Sequence, residues 1–354
     1  MVESKINRWV KQEILNQSIY KVNNKNTPIK LNQNESPVDW PIEIRKKLLS
    51  SFNDYQWNRY PEINGENLRK KLAKKLQLSK SQIVIGKGSN EVIQAITTAT
   101  LTHGDIVCHL SPTFTIYSLL SQQRGAKIVE SKLDSEFNVV LEDLINKSSM
   151  AKLTFIANPN SPTGKLLPVE IIKKVAEQTS GLLIVDEAYI DFSGGSALPL
   201  LESNDNIIIT RTFSKAWSLA SFRLGYGIMS DDLASEIQKC MLPFNIDSPA
   251  TLAGHLLLDH ADIIKELISS IVKEREKLII KLNELHDIKA WPSSTNFFML
   301  ETPILPSVLF HKLAEDGILV RDISSYPLCK KVVRVTVGTA KENKCFYKTI
   351  TNLL

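Results

Sequence analysis

Arg211-Thr-Phe-Ser-Lys215-Ala-Trp-Ser-Leu-Ala-Ser-Phe-Arg223-Leu-Gly-Tyr226 follows directly on a β-branched run, Asn206 to Arg211. The run reads as a strand that stops just before Ser214-Lys215, so the lysine falls at a strand's carboxyl end. Working upstream, the same kind of run recurs. Ile83 to Ile85, Asp105 to His109, Ala126 to Glu130, Leu153 to Ala157 and Leu182 to Val185 all read as short strands, the last ending in Asp186. Segments with helical periodicity separate them, among them Glu91 to Leu101. Strands alternating with helices predict an α/β fold with a mainly parallel sheet flanked by helices. Downstream of Pro243 the pattern changes to two helices, Ser248 to Leu258 and Ala261 to His286, then strands at Asn296 to Leu300 and Val332 to Val337. That predicts a smaller α+β domain. The expected division is an N-terminal arm at 1–30, a large domain at 31–245 and a small domain at 246–354.

The composition of the 354 residues narrows the class. Hydrophobic residues make up 43% and charged residues 23%, an ordinary globular balance. The net charge of +5 is spread along the chain, which reads as a solvated surface and not as a nucleic-acid footprint. No apolar run approaches ~18 residues, so no membrane span is expected. The four cysteines form no Cys-x-x-Cys pair, which points to reduced thiols in a cytoplasmic protein and to no metal site. Met1 to Leu15 lacks a signal-peptide core. Ile6, Val10 and Ile14, with Trp9 alongside, predict one face of an amphipathic helix that docks on a neighbouring domain or subunit.

Three clusters carry chemistry. Thr212, Ser214 and Arg223 are hydroxyl and guanidinium groups suited to a phosphate, and Arg223 lies close enough along the chain to serve the same site as Lys215. Asp186 ends an apolar strand, where α/β folds open the crevice that binds ligands; a helix N-cap is its other reading. Gly86-Lys-Gly88-Ser89-Asn90-Glu91 joins a strand to a helix, and free N–H groups at a helix start bind phosphate, although such a turn is often only a turn.

The string around Lys215 resembles the lysine motif of fold-type I pyridoxal-phosphate aminotransferases, most closely the histidinol-phosphate aminotransferase family, whose pattern is Thr-x-Ser-Lys-Ala-x-x-Leu-Ala-x-x-Arg-x-Gly. The likeness runs from about Tyr20 to Thr339. It implies that Lys215 carries pyridoxal 5′-phosphate as a Schiff base, that Asp186 faces the ring nitrogen, and that Tyr189 donates to the ring's 3-oxygen. It places Gly88, Ser89, Asn90, Thr212, Ser214 and Arg223 around the cofactor phosphate and Phe114 on the ring, though Phe114 reads equally as core. One position departs from the family: an Asn normally precedes Pro-Thr-Gly, and Ser161 stands there, with a shorter side chain and one donor where the amide has two.

The resemblance also implies a homodimer with shared sites, because Arg59-Tyr60-Pro61 is similar to a motif whose tyrosine reaches the partner's cofactor phosphate. A plain Pro-containing turn is the alternative. Asn34 and, less directly, Tyr20 are implied at the substrate. In the second domain, Arg334 lies on an apolar strand and calls for an anionic partner. Arg321 is a second candidate, with an ion pair to Asp322 as its other reading. Two arginines on one pocket favour a phosphate dianion. The implied reaction converts histidinol phosphate and 2-oxoglutarate into imidazole-acetol phosphate and glutamate, so the partners are a phosphorylated amine and a 2-oxo acid. A threonine-phosphate decarboxylase or an aromatic transaminase of the same fold is the nearer alternative; a non-enzymatic binding module is the remoter one.

Overall fold

The computed structural model describes residues 5–19 and 27–354. A two-residue strand, β1 (Ile29–Lys30), precedes the main sheet. That sheet has seven strands: β2 (Ile83–Lys87), β3 (Ile106–Ser111), β4 (Lys127–Lys132), β5 (Leu153–Ala157), β6 (Leu182–Asp186), β7 (Ile207–Thr212) and β8 (Leu224–Ile228), in the order β2-β8-β7-β6-β5-β3-β4. The run from β7 to β4 is parallel, and β8 is antiparallel to both its neighbours.

Alternate residues of these strands enter two different cores. Ile83, Ile85, Leu183, Val185, Ile207 and Ile209 face one cluster; Val84, Ile184 and Ile208 face the other. A sheet buried on both faces requires apolar side chains at consecutive positions, which is why the strand sequences read as unbroken apolar runs. Cys108 lies in this core and Cys329 is buried further on; burial pushes both thiols up to about 12, so neither is poised to react.

β8 has no counterpart in the sequence-based expectation, because Leu-Gly-Tyr-Gly-Ile carries two residues that disfavour strands. Both glycines are there for close approach. A Cβ on Gly225 would collide with the backbone of Ser89, and one on Gly227 would fall 2.8 Å from Val92. The helix Ser89–Thr100 therefore rests directly on β8.

The C-terminal sheet consists of β9 (Lys289–Ala290), β10 (Phe297–Glu301), β12 (Arg321–Asp322) and β13 (Val332–Thr336), ordered β12-β13-β10-β9 and antiparallel throughout. A third core of Phe297, Phe298, Leu300, Val333 and Val335 lies beneath it, closed by the helices Ala261–Asn283 and Ala340–Leu353. Between the sheet strands, β11 (Ile318–Leu319) pairs in parallel with β1. That pairing carries Leu31 into the third core and delivers Asn32 to Asn34 to the junction between the two sheets. The helix Ser248–Leu258, by contrast, packs Ala250, Ala253 and Leu257 into the core of the large sheet.

The N-terminal helix is replaced by a 3-10 turn, Lys5–Arg8, and a single helical turn, Gln12–Leu15. Lys11 between them is extended (ψ 142°) and supplies no side-chain cap. An isolated helix this short is marginal without an apolar surface to rest on, and among the described residues Ile6, Trp9 and Ile14 stay exposed.

Candidate active site

Strands β5, β6 and β7 end side by side, and their carboxyl termini open into a cavity of about 340 Å³. Asp186 and Thr212 line it as the last residues of β6 and β7, and Ser161, Tyr189, Ser214 and Lys215 from the loops after β5, β6 and β7. Ser89 and Asn90 line it from the helix start after β2, Phe114 from beyond β3, and Arg223 from before β8. Asn34, Arg321 and Arg334 close it from the arm and the C-terminal sheet. Gly88 stands behind this wall.

One end is built for an anion. Gly88 (φ 74°) turns the chain into the helix Ser89–Thr100, and a Cβ there would lie 2.9 Å from Arg223 Nη2. Arg223 Nη1 donates to Ser214 Oγ at 3.2 Å. A guanidinium, two hydroxyl residues and a helix N-terminus thus converge on one corner, as a phosphate requires.

A carboxylate occupies another wall. Asp186 is buried; Tyr117 Oη donates to its Oδ2 at 2.6 Å, Thr210 Oγ1 to its Oδ1 at 3.0 Å, and the Ala188 N–H to Oδ1 at 3.2 Å. The last bond closes a local turn and not a helix N-cap, because the next helical element, the 3-10 turn Ile190–Phe192, is capped by Tyr189. No cation is among its partners in the described residues, and burial pushes its carboxyl above the usual range against the pull of these donors. A buried carboxylate in this state fits a protonated ring nitrogen as its missing counter-charge.

Lys215 Nζ donates to the Gln33 carbonyl at 3.0 Å and lies 5.8 Å from the centroid of the Tyr189 ring. Tyr189 Oη accepts from Asn34 Nδ2 at 2.8 Å, and Thr336 Oγ1 donates to Asn34 Oδ1 at 3.2 Å. Arg334 Nη1 reaches Ser161 Oγ at 3.4 Å and its Nη2 the Asn32 carbonyl at 3.1 Å. The neighbouring Asn160 points away from the cavity: its amide bonds Pro112, Thr163 and Thr113. It does not stand in for the absent family Asn. Arg321 has no ion pair with Asp322, whose Oδ1 accepts from the Ser324 N–H instead.

Gly88 and Tyr60, both anticipated, are not among the residues that line the cavity. Tyr60 is 79% exposed and stacks on Phe244 at 4.7 Å. Tyr20 lies outside the described residues. Two residues that do line the cavity, Tyr117 and Tyr326, escaped the sequence reading. Tyr117 carried a signal, since it sits three residues past Phe114, at the start of the helix Ile116–Gln122.

Residues 26–350 match the model of aminotransferase class I and II. The chain belongs to that family. Its cofactor is pyridoxal 5′-phosphate, and the phosphate corner and the buried carboxylate described above suit that group. The chain is similar to the histidinol-phosphate aminotransferase of Ruminiclostridium cellulolyticum, with 35% identity over 96% of each chain. The crystal structure of the histidinol-phosphate aminotransferase from Clostridium acetobutylicum superposes with a TM-score of 0.85 at 25% identity, covering 92% of this chain and 98% of that one. The Sinorhizobium meliloti enzyme, solved in complex with pyridoxal 5′-phosphate, shares the fold at a TM-score of 0.83 and 24% identity, over 93% and 92%.

Proposed function

We propose that this aminotransferase acts on histidinol phosphate and 2-oxoglutarate, giving imidazole-acetol phosphate and glutamate, as a cytoplasmic homodimer. The observation that carries the reading is the content of one cavity: a lysine amine, a buried carboxylate without a cation of its own, and three guanidinium groups. Full-length relatives named for the same reaction support it.

Bound in this cavity, pyridoxal 5′-phosphate supplies a sink for the electron pair left on the substrate's Cα when the proton departs. The chain's residues do the rest. Ser89, Asn90, Ser214, Thr212 and Arg223 hold the phosphate and fix the ring's position. Phe114 packs on one face of the ring. Asp186 holds the ring-nitrogen proton, and its burial strengthens that interaction. Lys215 is the attachment point; once the substrate amine has displaced it, its Nζ accepts the Cα proton and is the acid that returns it. Tyr189 and Ser161 donate to the ring's 3-oxygen, Ser161 directly or through a water. Arg321 and Arg334 anchor the phosphate of the amine substrate, and Arg334 the carboxylate of glutamate, with Asn34 beside them. The Tyr60 hydroxyl reaches the cofactor phosphate of the partner subunit, which accounts for its position away from this chain's own cavity.

The test offers the purified enzyme histidinol phosphate with 2-oxoglutarate, and separately threonine phosphate. Glutamate formation with the first pair, and no carbon dioxide from the second compound, is expected. Carbon dioxide release without transamination overturns the reading in favour of a decarboxylase.

A further inference from the structure

We propose that Tyr117 is a positioning residue that acts through Asp186: its hydroxyl, held on one carboxylate oxygen, keeps the proton between Asp186 and the cofactor on the ring nitrogen. The inference rests on Asp186 being the ring nitrogen's partner.

The phenol is fixed by packing. Tyr117 is completely buried, stacked on Phe155 with ring centroids 4.8 Å apart and an interplanar angle of 5°, and edge-on to Phe114 at 5.6 Å. With the ring clamped, only rotation about the C–O bond is left to the hydroxyl, and its proton has Asp186 Oδ2 at 2.6 Å. Both residues line the cavity. Oδ1 already takes two donors, from Thr210 and the Ala188 N–H, while Oδ2 takes Tyr117 alone. The unused lone pair on Oδ2 is therefore the better acceptor for a third donor, a ring N–H.

A carboxylate that accepts a hydrogen bond is a weaker base. In a dry site the carboxylate and the ring nitrogen compete for one proton, and each donor on the carboxylate tilts that competition toward the ring. Without the phenol, Asp186 is more basic in the same burial and draws the proton to itself. The ring then loses the positive charge that makes it an electron sink. No bond other than N–H and O–H changes in this step.

The test compares wild-type and Tyr117→Phe proteins loaded with cofactor carrying 15N in the ring. In the wild type the nitrogen signal is expected at the protonated position, and in the variant displaced toward the unprotonated one. Cofactor affinity should fall roughly tenfold, the loss expected for one hydrogen bond to a charged acceptor, and kcat should fall while KM for the amine holds. A 1-deaza cofactor, with C–H in place of the ring nitrogen, should bind both proteins alike. An unmoved nitrogen signal overturns the proposal. So does an equal loss of affinity for both cofactors, which would mark Tyr117 as packing alone. A wild type that yields no Lys215-linked adduct after borohydride reduction overturns the functional reading and this inference together.

Discussion

Arg321 and Arg334 are direct cross-strand partners in the antiparallel pairing of β12 with β13. Like charges placed opposite one another in a ladder destabilise it, and among the described residues no carboxylate forms an ion pair with Arg321. Both side chains line the cavity. The dianionic substrate of the proposed function would relieve the repulsion that the ladder builds in.

Arg321→Gln should therefore raise KM for the phosphorylated amine roughly 10- to 100-fold, the range for losing a charge-assisted bond, and leave KM for 2-oxoglutarate near its original value. Arg334→Gln should raise both. Steady-state kinetics with each substrate varied in turn checks the split; equal effects of Arg321→Gln on the two substrates would contradict it.

Ser161 and Arg334 are joined by a long hydrogen bond of 3.4 Å, and the proposed function puts the ring's 3-oxygen beside the serine. A donor to that oxygen stabilises its anionic form and lowers the pH at which the bound cofactor changes colour. Ser161→Ala should move that midpoint up and Ser161→Asn, with a longer side chain and two N–H donors, should move it down. Spectrophotometric titration of the three proteins is the measurement. Superimposable curves would remove Ser161 from the site.

The strand ends that place Asp186 and Lys215 were readable because a strand buried on both faces must be apolar at consecutive positions, and the first polar residue after it marks the crevice. Arg334 was readable for a related reason: a guanidinium amid valines needs an anion. The register that sets Arg321 against Arg334 was not, since it depends on a pairing between segments whose spacing says nothing about alignment. β8 was hidden by glycines chosen for the helix Ser89–Thr100 above them. The N-terminal periodicity promised a helix, yet periodicity states only which side chains share a face, and among the described residues that face stays exposed. Tyr117 is core in all but its hydroxyl, and nothing in the sequence marked that hydroxyl out.

Asp186 links function to stability. Its carboxyl is raised above its ordinary 3.8 by burial. Stability from such a group is full below the unfolded value and is lost as pH rises through the folded one. The cofactor-free protein should thus lose stability with rising pH above about 4 from this source, and Asp186→Asn should flatten that slope while weakening cofactor binding. Urea midpoints across the acid-to-neutral range, with and without cofactor, report both effects. Parallel pH profiles for the two cofactor-free proteins would show that Asp186 carries no such penalty.

Tyr60 sits outside this chain's cavity with its ring on Phe244, while Lys215 sits inside. If each site takes Lys215 from one subunit and Tyr60 from the other, Lys215→Ala and Tyr60→Ala proteins are both defective alone, the first by on the order of 10³-fold or more. Mixed and allowed to exchange subunits, they form hybrid dimers in which one site has both wild-type residues and the other has neither. Random exchange restores about a quarter of the wild-type sites, because half the dimers are hybrids and each holds one intact site of two. Recovery of activity toward that level on mixing is the expected result. A mixture no more active than the average of its components would mean that Tyr60 serves no site across a subunit boundary.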